Sequence, residues 1–165
     1  MEDAVTPSTG YIVKIEIHRR TIDARRTLAV AGPPDLKAAD DADSRPASGP
    51  LHGVPFTIKE NIDVLGTPTT QGVPAFADAI PTHNAPVARR MKAADAIPIG
   101  RTNLTELASR LSTDNPLYGR TLNPWNASLT AGGSRGGDAV ALATGMTPFG
   151  IGNDICGSPR NPACG

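Results

Sequence analysis

Charge of neither sign is in excess in this chain: 16 Lys and Arg offset 16 Asp and Glu over 165 residues, for a formal net charge of zero. Without a basic field nothing gathers a phosphate backbone or an anionic surface, and no acidic tail is present, so neither nucleic acid nor membrane is an expected partner. No apolar run approaches the roughly 20 residues that span a bilayer. The opening MEDAVTPSTG lacks the basic start and apolar core of a secretory signal. Cysteine is also scarce. Cys156 and Cys164 sit together in a loop rich in Gly and Pro, too few for a disulfide framework and without the companions that a metal site needs. A reducing cytoplasm is the expected setting. His18, His52 and His83 are scattered without metal-ligand spacing and read as surface or loop residues. Aromatic residues make up only 4% of the chain, whereas 17 Gly and 16 Pro mark a chain of many turns. A hydrophobic content of 39% still permits one modest core.

What is present reads as strands and helices in alternation. Tyr11, Val13, Ile15 and Ile17 alternate like a strand, but HRRTIDARRTL follows as a charged helical stretch, and helix is the preferred reading of Tyr11 to Val30. Ala31 to Pro50 is rich in Pro, Ala and Asp and reads as a short helix between loops, a connector rather than a site. Residues 1–50 thus form an N-terminal helical segment and connector, and 51–165 a second unit. Val54 to Ile58 is a short apolar run bounded by Gly53 and Asn61 and ending in Lys59, which predicts a buried strand with a lysine at its end. In Asn84 to Asp95, Val87, Met91 and Ala94 fall at i, i+4 and i+7 with Pro86 near the first turn, an amphipathic helix. Ala96 to Gly100 is a strand candidate, and Asn103 with Glu106 reads as a capping box opening a further helix. Gly119 to Thr130 is a long polar loop, in and beside which Trp125 and Tyr118 read as packing residues. Gly136 to Gly145 reads as a helix opened by a glycine turn, and Met146 to Gly152 leads through a short strand into a second glycine turn. The alternation points to an α/β fold.

Three pieces carry the chemistry: Lys59 in FTIKEN, Ser134 in AGGSRGG and Ser158 in GNDICGSPRNPACG. A neutral serine hydroxyl is a weak nucleophile and needs an adjacent base. Lysine can serve when burial disfavours its charged form, and the end of an apolar strand suits such burial. GGSRGG lacks the GK[ST] ending of a phosphate-binding loop, and CGSPR lacks the glycine of a GxSxG elbow. Two glycine-rich turns separated by one short helix, a serine in each and a lysine well upstream, resemble the amidase signature family of serine hydrolases. GPLHGVPFTIKENIDVLGTPTT, AIPIGRTNLTELA and NPLYGRTLNPWNASLTAGGS extend the resemblance in the same order.

The resemblance implies a partial amidase-signature fold, α/β, with a mixed sheet flanked by helices and truncated at its C-terminus, residues 51–165 being the incomplete N-terminal part of that domain. It implies Ser158 as nucleophile, Ser134 as a bridging serine joined to Gly133 by a cis peptide bond, and Lys59 as base. Backbone N–H groups of Ile155, Cys156, Gly157 and Ser158 would face the oxyanion, with Asp154 and Arg160 bracing the loop and Pro159 opening a helix. The implied reaction is hydrolysis of a small-molecule carboxylic amide to acid and ammonia or amine, without metal or organic cofactor. A homodimer of the full-length form is open. Three residues depart from the family pattern. Arg135 stands where serine is usual and places a cation beside Lys59, where like-charge repulsion helps keep the amine neutral or disrupts the turn. Cys156 replaces a glycine in the oxyanion loop, and Asp95 replaces a glycine between helix and strand. These departures, and an end at Gly165, leave an inactive remnant of an amidase as one alternative. A protein like the corresponding subunit of the tRNA-dependent amidotransferase is another, although GND before the second turn looks more like stand-alone bacterial amidases.

Overall fold

The computed structural model describes residues 36–154, 157–158 and 160–163. The helix expected over Tyr11 to Val30, His18, and the backbone of Ile155 and Cys156 lie outside the described residues. Helix α1 (Leu36–Asp43) falls within the expected connector. Its Ala39 and Ala42 are buried against Ile97 and Ile99.

The run PFTIK forms strand β1 (Pro55–Lys59), and every residue of it is buried. It lies between β2 (Ile97–Thr102) and β3 (Gly150–Ile151), parallel to both. The centre of a parallel sheet is covered on both faces, which is why β1 reads as a continuous buried run rather than an alternation. Parallel neighbours require crossovers. Helix α2 (Pro86–Ala93) intervenes between β1 and β2, and helix α3 (Gly136–Ala143) between β2 and β3. The strands among the described residues are all parallel, so the antiparallel member of the expected mixed sheet is not among them. Phe56 pairs with Pro98 but Thr57 with Gly100, a one-residue slip. Pro98 has no N–H to give the ladder, and a bulge at that point spares the register on either side.

The two faces of β1 divide the labour. Phe56 and Ile58 point into a cluster with Ile62, Val64, Ala88 and Ala96, and the Phe56 ring stacks on Phe149 with centroids 5.5 Å apart. Burying each such side chain stabilises the fold by about 1.5–3 kcal/mol. The period of two sends Thr57 and Lys59 to the opposite face, which α3 covers. Just past Lys59 the chain wraps round the buried Arg101, whose guanidinium donates to the carbonyls of Glu60, Ile62 and Pro68. This fixes the end of the strand on which Lys59 sits.

Several local expectations need correction. The buried face of α2 is Ala88 with the half-buried Met91, and Val87 is exposed. Small Ala88 lets the helix approach the sheet more closely than valine would. Asn103 caps no α-helix. Its Oδ1 accepts from Leu104 N–H and from Asn115 Nδ2, its Nδ2 donates to Gly119 O and Thr121 Oγ1, and only a 3₁₀ turn, Glu106–Ala108, follows. Trp125 is 75% exposed and does not pack, while Tyr118 is half-buried beside Thr70. His52 does lie in a turn, before β1, but it is tied down there: Nδ1 meets Asp95 and Nε2 meets Ala42 O. Asp95 takes the left-handed conformation at φ +74°, and its carboxylate gathers Arg45, Ser48 and His52. Those partners hold a non-glycine residue where the backbone favours glycine. Among the described residues no helix is long and apolar enough to cross a membrane.

Candidate active site

The lysine at the end of β1 is completely buried, its face of the strand closed by the turn that precedes α3. That turn is built by close approach. A Cβ on Gly133 would lie 2.7 Å from the Leu111 carbonyl carbon and 2.8 Å from Ser112 N, both backbone atoms, so no larger residue fits there. The Gly133–Ser134 peptide bond is cis. Thr113 straps the turn from outside: its Oγ1 donates to Gly132 O at 2.9 Å and accepts the Gly136 N–H at 2.8 Å, while its own N–H also meets Gly132 O. The Gly136 N–H belongs to the first turn of α3, where helices leave donors without intrahelical partners, and Thr113 satisfies one of them.

Held in this way, Ser134 is 1% exposed and its Oγ lies 2.8 Å from Lys59 Nζ. On its other side it lies 2.8 Å from Ser158 Oγ, itself 6% exposed. The three sequence-predicted side chains therefore meet in one unbroken hydrogen-bonded row. A second acceptor, Asn153 Oδ1, receives Lys59 Nζ at 2.9 Å and Asn61 Nδ2 at 3.3 Å.

Arg135 turns away from the row. Its guanidinium pairs with Asp138, in the first turn of α3, through Nε at 2.7 Å, and reaches Gly150 O with Nη2 at 3.2 Å. Asp138 is buried and also accepts from Thr57 Oγ1 at 3.1 Å and Thr102 Oγ1 at 2.8 Å. Gly152 leaves the room Arg135 occupies, since a Cβ there would collide with the guanidinium. The turn is intact with arginine in place, so of the two consequences weighed from sequence the repulsive one applies. Burial, then the Arg135 charge, push the Lys59 amine down to about 8, against the weaker pull of Asp138 and Asp154. At neutral pH a minority of the amine is then neutral, far more than for an ordinary lysine.

Asp154 and Arg160 pair across the second glycine turn, Nε to Oδ2 at 2.9 Å, and the short helix α4 (Arg160–Ala163) follows Ser158. Arg160 and the neighbouring backbone N–H groups hold the Asp154 carboxyl below the usual carboxylate range. The N–H of Gly157 donates to Asp154 Oδ1 at 2.5 Å and that of Ser158 to the same oxygen at 3.3 Å. The resemblance implies that both face an oxyanion. A carboxylate three residues upstream competes for them, and in this structure the Gly157 donor is committed to it. The Ile155 and Cys156 donors lie outside the described residues. Sequence reasoning missed Thr113, Asp138 and Asn153. Asp138, three residues after Arg135 on a helix, was the one with a readable signal.

The chain is similar in sequence and in fold to known proteins. A family model described as Amidase matches residues 9–165. The chain is 53% identical over 132 residues to an indoleacetamide hydrolase of Bradyrhizobium diazoefficiens, a match covering 78% of this chain and 25% of that protein. It is 43% identical over 132 residues to a glutamyl-tRNA(Gln) amidotransferase subunit of Methanosarcina barkeri, covering 79% of this chain and 28% of that one. Its fold superposes on the peptide amidase of Stenotrophomonas maltophilia with a TM-score of 0.84 at 30% identity, over 94% of this chain and 35% of that structure. The chain thus spans about a quarter to a third of the length of these proteins.

Proposed function

The chain belongs to the amidase family, and on that premise we propose that it carries the catalytic serines and lysine of an amide hydrolase, with Ser158 as nucleophile, Ser134 as relay and Lys59 as base. The observation that supports this reading most is the row Lys59 Nζ, Ser134 Oγ, Ser158 Oγ, with 2.8 Å at each step. Neutral Lys59 takes the Ser134 proton as Ser134 takes that of Ser158, and Ser158 Oγ attacks the amide carbonyl. Collapse of the tetrahedral intermediate expels the amine, which leaves with the proton returned from Lys59 through Ser134. Water then hydrolyses the ester on Ser158 by the same relay, releasing the acid. Of the two donors at Asp154 the Ser158 N–H is the more weakly held, and it is the one that turns to the developing oxyanion.

The similarity to an indoleacetamide hydrolase makes indoleacetamide the first substrate to offer. The test is release of ammonia from indoleacetamide and simple aliphatic amides, and of aniline from anilides, by the protein and by Ser158→Ala. Release by the parent and none by the variant supports the reading; equal release by both, or none from any amide, overturns it. The similarity to an amidotransferase subunit supports a second reading, in which ammonia passes to a partner complex. A stable co-purifying partner and dependence on an aminoacyl-tRNA distinguish it.

A further inference from the structure

The amine of Lys59 has two neighbours of different character. Ser134 Oγ, at 2.8 Å, can donate or accept, whereas Asn153 Oδ1, at 2.9 Å, can only accept. A neutral amine has two N–H bonds and one lone pair. To act as a base it must aim the lone pair at the Ser134 hydroxyl, and nothing in the Lys59–Ser134 contact alone prevents it from aiming an N–H there instead. Asn153 narrows that freedom, because an N–H must point at its carbonyl oxygen and the lone pair is never spent there. Asn61, two residues beyond Lys59, donates from Nδ2 to the same oxygen at 3.3 Å. That second donor holds the oxygen end of the Asn153 amide, and not its NH₂ end, toward the lysine.

We propose that Asn153 is a positioning residue for the base: it holds one N–H of Lys59 and so keeps the lone pair available to Ser134, with Asn61 holding Asn153 in the required orientation. The proposal rests on Lys59 being the base. It explains why a neutral amide oxygen stands here. A carboxylate would accept the same N–H but would favour the charged ammonium, the form that cannot take a proton. The other charged groups acting on the amine are Arg135, which opposes its protonation, and Asp138 and Asp154, which favour it.

The rate of Ser158 labelling by a fluorophosphonate, followed from pH 6 to 10.5 on the full chain, tests this without a known substrate. Asn153→Ala is expected to slow labelling on the high-pH plateau by roughly tenfold, the worth of one hydrogen bond to the base. Asn153→Asp keeps size and acceptor, so its plateau stays within about threefold of the parent while its acid limb moves to higher pH. Asn61→Ala lowers the plateau less than Asn153→Ala does. A merely structural role changes stability but leaves the high-pH plateau of Asn153→Ala at the parental rate, whereas the moved limb of Asn153→Asp reports that the side chain at 153 faces the amine. A parental plateau in Asn153→Ala, or an unmoved limb in Asn153→Asp, overturns the proposal. Lys59→Met separates this from failure of the underlying reading: if that variant labels at the parental rate, Lys59 is not the base at all.

Discussion

Replacing Arg135 by glutamine takes away the cation that helps keep Lys59 neutral, and the reaction should then need higher pH. Burial is the larger cause of the depressed lysine and survives the substitution, but the second cause, the Arg135 charge, is lost. Asp138 is simultaneously released from its ion pair, and its attraction for the ammonium acts unopposed. Both changes raise the lysine. With the amine at about 8, about one lysine in eleven is neutral at pH 7, against about one in three thousand at its ordinary 10.5. Each unit the amine rises therefore costs about tenfold in rate at pH 7, while the rate well above the limb is preserved. The assay is the pH dependence of kcat/KM, or of phosphonate labelling, for the parent, Arg135→Gln and Arg135→Lys. The parent limb is expected near 8, the glutamine variant above it, and the lysine variant near the parent. Because breaking a buried pair destabilises by about 3–5 kcal/mol, folding of the glutamine variant is checked by urea titration, and Arg135→Gln with Asp138→Asn provides a version with no stranded carboxylate. A limb at or below the parental position in both glutamine variants refutes the electrostatic reasoning.

Lys59→Met should abolish labelling yet stabilise the protein. The folded lysine sits at about 8, below its unfolded value of about 10.5, so parental stability rises with pH across that window and the burial penalty is fully felt below it. The methionine variant should gain up to about 3 kcal/mol at pH 7, less the two lost hydrogen bonds, with the gain shrinking toward pH 10.5 in urea titrations. Gly133→Ala should lose about 1–3 kcal/mol and most activity, since its methyl would meet the backbone of Leu111 and Ser112; unaltered urea midpoints contradict the close approach. Arg45 and His52 hold the Asp95 carboxyl well below the usual carboxylate range, so its contribution is present at neutral pH and lost only in strong acid. Asp95→Asn should therefore lower thermal stability at pH 7 and narrow its gap to the parent as the pH falls toward 2.

Strand β1 was legible because Val54 to Ile58 is mostly apolar and bounded by Gly53 and Asn61, and the glycines of both turns marked where backbone comes close. Helix α3 was legible for the same reason, since Gly136 opens it against Thr113. Asn103 misled because a capping box is a local pattern, whereas the competing partner, Asn115, lies 12 residues away and offers a better-buried hydrogen bond. The face of α2 misled because hydrophobic size favoured Val87, while proximity to the sheet selects the smaller Ala88. Asn153 was visible only as the middle of GND, with nothing to mark its role: its contact to Lys59 spans 94 residues and exists only once β1 and the second turn are brought together. Arg135 was legible as a charge, and its orientation away from the amine was set by Asp138.

The central claim is that Ser158 is a nucleophile activated through Ser134 by Lys59. Treating the full chain with a fluorophosphonate at pH 8.5 and locating the adduct by peptide mass spectrometry tests it most directly. The account expects one adduct, on Ser158, absent in Ser158→Ala and slowed by at least about a hundredfold in Lys59→Ala, as loss of a general base entails. An adduct on Ser134, or Ser158 labelling that is indifferent to Lys59, would contradict it.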